Sequence, residues 1–295
     1  MLHLQDLAEL WQKYGVAAST PVREFSVGGR NFPFNSRPQI MGVINLSPDS
    51  WYRESVSLTA EGAIQRSRVL AAEGASIIDI GAESSLNQAA RVNELLQQSR
   101  LLPVIREVVA SGIIVSAETY QPVVARAALE AGARVLNITG VTDLPEIFRM
   151  AVDFEAAVIL CYVQGANVRE VGDFDFGSDI MGQMREYFAR HLETAQRAGC
   201  NKLLIDPGLG FYYRNLADSS VRVRHQMRTF LETFRLRDLG CPICHALPHA
   251  FEYFGEEVRS AEPFFAVLAA LGQANLFRTH EVARIKAVLD TLAVF

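Results

Sequence analysis

The chain has 295 residues, 49% hydrophobic and 21% charged, with a formal net charge of −5 at pH 7. That composition supports a sizeable core and excludes an intrinsically disordered chain. The acidic balance argues against a nucleic-acid-binding face, although a local cluster of Arg or His can still hold a small anion.

The opening stretch "MLHLQDLAELWQKYG" has acidic residues and Gln inside its apolar run. It reads as an amphipathic helix, not as a secretory or transit segment. No window approaches the roughly 18 apolar residues of a membrane span. The expectation is a cytoplasmic protein with no membrane or nucleic-acid partner. "EFSVGGRNFPFNS" follows, with a Gly-Gly turn between apolar runs, and reads as a hairpin. Residues 1–37 are therefore expected to form a helix-and-hairpin extension that plugs the bottom of the main domain, residues 38–295.

From there the chain alternates. The apolar runs are "QIMGVI", "ASIIDI", "GIIVSA", "ARVLNI", "AAVILCY", "NKLLID", "CPICHA" and "ANLFR". Between them lie amphipathic stretches such as "TAEGAIQRSRVLAAEG", "QPVVARAALEAG" and "MGQMREYFARHLETAQRAG", several ending in Gly as helices do. Eight strand–helix units predict an α/β fold, a closed (β/α)8 TIM barrel. An open doubly wound sheet is the alternative, and the lack of GxGxxG after the first strand counts against it.

The seventh run contains "CPICH", which also passes for a CxxCH haem-attachment signature or a CxxC zinc or redox half-site. A c-type haem requires export. A zinc site needs about four ligands, usually a second CxxC or an HxxxH, and neither is present. The thiols Cys161, Cys200, Cys241 and Cys244 are too few for a disulfide framework in a reducing compartment. On a strand, Cys241, Ile243 and His245 share one face and Cys244 takes the other, so the two thiols pack the core and share no metal.

In barrels of this kind, chemistry gathers after the C-terminal ends of the strands. Those ends carry Asn45 with Asp49 and Ser50; Glu83, Ser84 and Ser85; Glu118 and Thr119; Asn137; Tyr162, Gln164 and Gly165; Asp206; His245 and His249; and Arg278, Thr279 and His280. Two chemistries emerge. Glu118, Asn137 and Asp206 are acceptors suited to a ligand edge rich in N–H donors, such as a 2-amino-pyrimidinone. Arg278 and His280 face Asn45 across the closure from the last strand to the first. They suit a phosphate or pyrophosphate accompanied by Mg²⁺. Taken singly, each has a plainer reading: Asp206 and Asn137 as turn formers, Arg278 and His280 as a solvated loop, Glu83 as a buried partner for a backbone amide.

At these residues the sequence resembles the dihydropteroate synthase family, the pterin-binding (β/α)8 barrels of folate synthesis. "IMGVINLSPDSW" is similar to the family's "IMGILNVTPDSF", "EGASIIDIGAESS" to "GADIIDIGGEST", "VSAETY" to "ISIDTY", "VLNITG" to "IINDVSG", "IDPGLGF" to "LDPGIGF" and "LFRTHEV" to "IRVHDV". The likeness runs in order over residues 23–295. It implies a transferase that joins 6-hydroxymethyl-7,8-dihydropterin pyrophosphate to p-aminobenzoate and releases pyrophosphate. By motif, Glu118, Asn137 and Asp206 would hold the pterin. Asn45, Arg278 and His280 would hold pyrophosphate, with Asn45 on Mg²⁺. Together with His249 these three make the catalytic set. A homodimer through the last helices is also implied.

The likeness is incomplete. Counting back from Phe251, the Ser-Arg-Lys segment of the family has become Pro248 at the Arg and His249 at the Lys. Glu118 replaces an Asp, and Ile138, Arg53 and Leu86 replace a second Asp, a loop Asp and an Arg. The Lys of "GFGK" falls near Tyr213, and "MHM" is Cys161-Tyr162-Val163. The pyrophosphate end is best kept and the p-aminobenzoate end least. Two alternatives follow: a pterin-binding paralogue without synthase activity, or a different amine acceptor. A pterin-dependent methyltransferase fits less well, because "SPDSW" and "RTHEV" belong to the pyrophosphate end.

Overall fold

Gly28 and Gly29 have positive φ angles of 56° and 77°. A two-residue hairpin turn needs that conformation if its strands are to keep their right-handed twist. The pair joins β1 (Phe25–Val27) to β2 (Arg30–Phe32), antiparallel with Val27 opposite Arg30. Helix α1 (Leu4–Ala18) precedes the hairpin and packs on the 3-10 segment Thr233–Leu239. The computed structural model describes residues 1–47, 59–84, 90–211 and 213–295. Asp49, Ser50, Arg53, Ser85 and Leu86 lie outside the described residues.

The repeat runs β3 (Gln39–Asn45), α2 (Ala60–Glu73), β4 (Ile77–Gly81), α3 (Glu94–Ala110), β5 (Val115–Thr119), α4 (Pro122–Glu130), β6 (Val135–Ile138), α5 (Leu144–Asp153), β7 (Ala157–Cys161), α6 (Ile180–Arg197) and β8 (Leu203–Asp206). It continues with α7 (Ser219–Glu232), β9 (Cys244–Ala246), α8 (Phe251–Phe254), α9 (Ala261–Leu271), β10 (Leu276–Thr279) and α10 (Val282–Leu292). The eight barrel strands pair in the order β8-β7-β6-β5-β4-β3-β10-β9, every pair parallel. A parallel bridge from Ile205 to Ile243 closes the ring, with Ile205 N donating to Pro242 O at 3.0 Å. This is the TIM barrel expected from the alternating pattern. Among the described residues no helix is long and apolar enough to cross a membrane.

The seventh strand is shorter than its apolar run. Pro242 has no N–H to give to a ladder, so regular pairing starts only at Cys244. The two faces separate as alternation predicts. Cys241 and Ile243 lie in the shell between strands and helices, and Cys244 lies with the interior residues Met41, Leu204 and Leu276. His245 also faces the helices, with Nε2 2.6 Å from Thr233 Oγ1 and its ring 4.7 Å from that of Phe230. Burial pushes its pKa down to about 3, so it stays neutral and takes no part at the barrel mouth.

All four cysteines are buried and free. Burial pushes the thiols of Cys200 and Cys241 up to about 11, and those of Cys161 and Cys244 well above their ordinary value. The thiolate is the reactive form. The native protein is therefore expected to resist a chromogenic disulfide reagent at pH 8, with all four thiols titrating once guanidinium is added. Fast labelling of the folded protein would contradict this core-packing role.

The barrel interior is layered by the period of two along each strand. Met41, Ile77, Val135, Ala157, Leu204, Cys244 and Leu276 form an apolar floor, capped from below by Val27, Phe32 and Phe34 of the hairpin region. Burying each of the Met, Ile, Val, Leu and Phe side chains among them contributes about 1.5–3 kcal/mol. Two residues further on, the same inward parity places Asp79 after Ile77, Asn137 after Val135, Asp206 after Leu204 and Arg278 after Leu276. Glu118 holds the same level on β5, where it is the Cα partner of both Gly81 and Asn137.

Candidate active site

The layer above the floor is polar and tightly paired. Arg278 reaches inward from β10. Its Nε donates to Asp79 Oδ2 at 2.7 Å, and its terminal nitrogen makes a very short contact with Glu118 Oε2. Asn137 Nδ2 donates to the same Asp79 oxygen at 3.0 Å, and Asn137 Oδ1 accepts from Cys161 Sγ at 3.4 Å. Asp206 Oδ1 accepts from Gly208 N at 2.7 Å. Gly208 is obligatory in that turn: its φ is 74°, and a Cβ there would sit 2.3 Å from Tyr162 O. Asp206 is thus both a turn former and an interior carboxylate.

Three carboxylates share one guanidinium here. Burial raises the Glu118 pKa to about 7, and Asp79 and Asp206 add like-charge repulsion that Arg278 only partly offsets. Burial likewise raises Asp206 to about 6, against the opposing Gly208 N–H and Arg278. Arg278 itself is held more firmly protonated by Glu118 and Asp79, despite its burial. Asp79 is fully buried, and its Oδ1 has no hydrogen-bond partner among the described residues. An unmatched buried carboxylate oxygen is costly, and a ligand N–H would satisfy it.

A second cluster lies over the ends of β9 and β10. Glu262, in the first turn of α9, is fully buried. It accepts from Thr279 Oγ1, from His280 N at 3.1 Å and from Glu281 N at 3.3 Å. His280 Nδ1 lies 2.8 Å and His249 Nε2 3.3 Å from its Oε1. Burial works to raise the Glu262 carboxyl, but His280, His249 and Thr279 outweigh it and hold it below the usual range. His280 Nε2 lies 3.4 Å from Asn45 Nδ2. With Nδ1–H donating to Glu262, Nε2 accepts from the Asn45 amide, which turns Asn45 Oδ1 away from the ring. An amide oxygen is a suitable single ligand for Mg²⁺, which keeps several waters and takes phosphate oxygens for the rest. The chemistry of Asn45 is thus compatible with the Mg²⁺ role that the family resemblance implies for it.

The structure regroups the sequence-based sets. Glu118, Asn137 and Asp206 do converge, and Asn45 and His280 do meet. Arg278, placed by sequence beside Asn45, instead turns into the carboxylate set. His249, at the position of the family's Lys, turns away from those carboxylates to Glu262 and stacks loosely beside Phe251, ring centroids 5.6 Å apart. Burial lowers its pKa to about 4, so it brings no cation. Glu83 takes the plainer role: its Oε1 accepts from Val92 N at 3.0 Å, and the buried Arg169 lies 4.0 Å away. Gln164 braces the loop after β7, with Nε2 2.7 Å from Asp175 O and its own N donating to Tyr213 Oη at 3.0 Å. Tyr213 is a strut, not a substitute cation.

Two residues escaped the sequence reading. Asp79 was hidden inside "IIDIG", although a lone carboxylate at inward parity in an apolar strand is a signal. Glu262 carries no motif signal, because an acidic residue in a first helical turn is ordinary.

Comparison with known proteins bears on this geometry. The family profile described as "Pterin binding enzyme" matches residues 41–247. Dihydropteroate synthase from Synechocystis is 30% identical over 281 residues, covering 90% of this chain and 94% of the relative. The type-2 dihydropteroate synthase of Escherichia coli is 31% identical, covering 86% and 94%. Among solved structures, Xanthomonas albilineans dihydropteroate synthase with 4-aminobenzoic acid superposes with a TM-score of 0.76 at 28% identity, covering 94% of this chain and 98% of that one. The same enzyme in complex with 7,8-dihydropteroate gives 0.74 at 27% identity, covering 92% and 98%.

Proposed function

Because the chain belongs to the pterin-binding enzyme family, with the dihydropteroate synthases, we propose that it condenses 6-hydroxymethyl-7,8-dihydropterin pyrophosphate with p-aminobenzoate or a related amine. The observation that carries this reading is the convergence of Asp79, Glu118, Asn137 and Asp206 on the barrel axis, with Asp79 Oδ1 unmatched. A 2-amino-pyrimidinone presents a ring N–H and an exocyclic amine side by side. One ionised carboxylate takes both. Arg278 already makes guanidinium contacts of that kind with Glu118 and Asp79, so its fork marks the chemistry of the ligand edge. Pterin binding replaces part of those contacts and frees guanidinium donors for the leaving group.

In the reaction the bond from the pterin methylene carbon to the pyrophosphate oxygen breaks, and pyrophosphate leaves with the electron pair. The arylamine nitrogen forms the new C–N bond and releases a proton. No protein group becomes covalently attached. The chain positions the two substrates and stabilises charge on the leaving group. His280, oriented by Glu262 through Nδ1, meets a phosphate oxygen at Nε2 when the ring is doubly protonated. Mg²⁺ held by Asn45 supplies neutralisation of pyrophosphate when bound.

The test is p-aminobenzoate-dependent pyrophosphate release. Wild-type protein is expected to release it, and His280→Ala to lose about 10²-fold or more in rate, the scale of one removed electrostatic donor. Release without arylamine, or an unaffected His280→Ala, would contradict the assignment. A second reading has its own support. His249 is neutral and turned to Glu262, so the cation that the family's Lys brings to the pterin is absent. On that reading the protein binds pterin and does not condense it.

The pH dependence follows from the raised carboxyls. Glu118 and Asp206 titrate near 7 and 6, and the ligand's N–H edge needs them ionised. Dihydropterin affinity is expected to rise from pH 5 to 8, and Glu118→Gln to remove the upper part of that rise. The stability sign is opposite. Both folded pKa values exceed the unfolded ones, so their contribution is full only below the unfolded values of 3.8 and 4.5 and is lost as pH rises through 6 to 7. A pH-independent affinity would sink this.

The remaining assignments are proposals of the same reading. Residues 38–295 form the catalytic barrel and residues 1–37 its accessory extension. The four free thiols accord with a cytoplasmic setting. Exposed Phe264 and Leu271 on α9, with Leu292 on α10, support a homodimer through the last helices. Light scattering is expected to give twice the chain mass, and a monomer at micromolar concentration would count against it.

A further inference from the structure

The Glu262 cluster can do more than orient one histidine. His249, Glu262 and His280 each offer a ligand atom, and these atoms lie within 4.8 Å of one another. Around a tetrahedral ion with bonds of about 2.0–2.1 Å, ligand atoms stand about 3.4 Å apart. His249 Nε2 is 3.3 Å from Glu262 Oε1, and His280 Nδ1 is 2.8 Å from the same oxygen. Two imidazoles and one carboxylate form the donor set of zinc and non-haem iron sites, and imidazole disfavours Mg²⁺. The carboxylate is anchored from behind by Thr279 and by the N–H groups of His280 and Glu281. Such outer contacts hold a ligand in place before the metal arrives.

We propose that His249, Glu262 and His280 form a three-ligand site for a first-row transition-metal dication of the Zn²⁺ class, distinct from the Mg²⁺ position at Asn45. It arises where the likeness to dihydropteroate synthases breaks down: the histidine that takes the place of the family's Lys supplies the third ligand. The ion takes the place of the proton between His280 Nδ1 and Glu262. The imidazole proton then resides on Nε2, which no longer accepts from the Asn45 amide 3.4 Å away, and His280 becomes a donor toward the phosphate end without carrying a positive charge. That last consequence rests on the function proposed above. The metal site does not.

The test uses the full-length protein, stripped with chelator and dialysed against Zn²⁺ in the presence of excess Mg²⁺. Elemental analysis is expected to find about one zinc per chain. Co²⁺ in its place is expected to give visible absorption bands of a low-coordinate nitrogen and oxygen site, without thiolate charge transfer. His249→Ala and the bulkier His249→Gln are both expected to weaken Zn²⁺ binding by at least about tenfold while circular dichroism stays that of the wild type. Cys200→Ala, on the far side of the fold, is expected to retain the metal. Failure of the wild type to retain zinc against Mg²⁺ would overturn the proposal. So would unchanged binding in both folded His249 variants, or a thiolate band with Co²⁺. Pterin binding is not measured here, so a failure of this site stays separate from a failure of the proposed reaction.

Discussion

Asp79→Asn is expected to weaken dihydropterin binding by about 1.5–3 kcal/mol, roughly 10–100-fold in Kd. The substitution keeps the volume and removes the charge. In the wild type, Asp79 Oδ2 holds Arg278 and Asn137, at 2.7 and 3.0 Å, and Oδ1 has no partner among the described residues. That second oxygen is where a ligand N–H gains most, since its desolvation has already been incurred in the free protein. A second effect distinguishes this role from a merely structural one. Asp79 is one of the negative neighbours that raise Glu118, so its loss moves the pH midpoint of binding downward. Calorimetric titration between pH 5 and 8 reads both effects. An unchanged Kd with an unchanged midpoint would mean that Asp79 only anchors Arg278.

Glu262→Ala is expected to cost about 3–5 kcal/mol of folding stability, the scale for removing one partner from a buried ionic network. The side chain is fully buried and gathers Thr279, His280, Glu281 and His249 at the join of α9 and β10. Removing it leaves the His280 N–H without its acceptor, while Glu281 N keeps Thr279 Oγ1 at 2.9 Å, and takes away the group that orients His280. Glu262→Gln keeps the acceptor oxygen and is expected to cost less, while still disturbing the tautomer of His280. Urea denaturation of metal-stripped protein measures both variants. A loss under about 1 kcal/mol for Glu262→Ala would show that solvent or a rearranged neighbour replaces the carboxylate.

Much of this was legible in the sequence. The eight apolar runs predicted the eight barrel strands, because a parallel barrel buries its strands on both faces and so writes them as short continuous apolar segments. Alternation along "CPICHA" correctly separated Cys241 from Cys244, which set the haem and zinc readings of that stretch aside. The strand-end rule located Glu118, Asn137, Asp206, Asn45 and His280, since position in a barrel is fixed by element order alone. What the sequence could not supply was side-chain direction. Arg278 and His280 are two residues apart on the β10 edge, yet Arg278 turns to Asp79 and Glu118 while His280 turns to Glu262 and Asn45. The choice is made by where uncompensated carboxylates lie, a property of three strands and a helix together. His249 illustrates the same point. Motif counting placed it at a Lys position. Its neighbour Glu262, thirteen residues later and on a helix, decides what it does.

One experiment tests the pterin assignment most directly: titration of the wild-type protein with 6-hydroxymethyl-7,8-dihydropterin pyrophosphate and Mg²⁺, followed by p-aminobenzoate and chromatographic analysis of the same sample. Saturable one-to-one binding that strengthens from pH 5 to 8 is expected, with dihydropteroate and pyrophosphate formed in equal amounts. No binding at any pH would contradict it, because the carboxylate set around Arg278 would then have no pterin to hold.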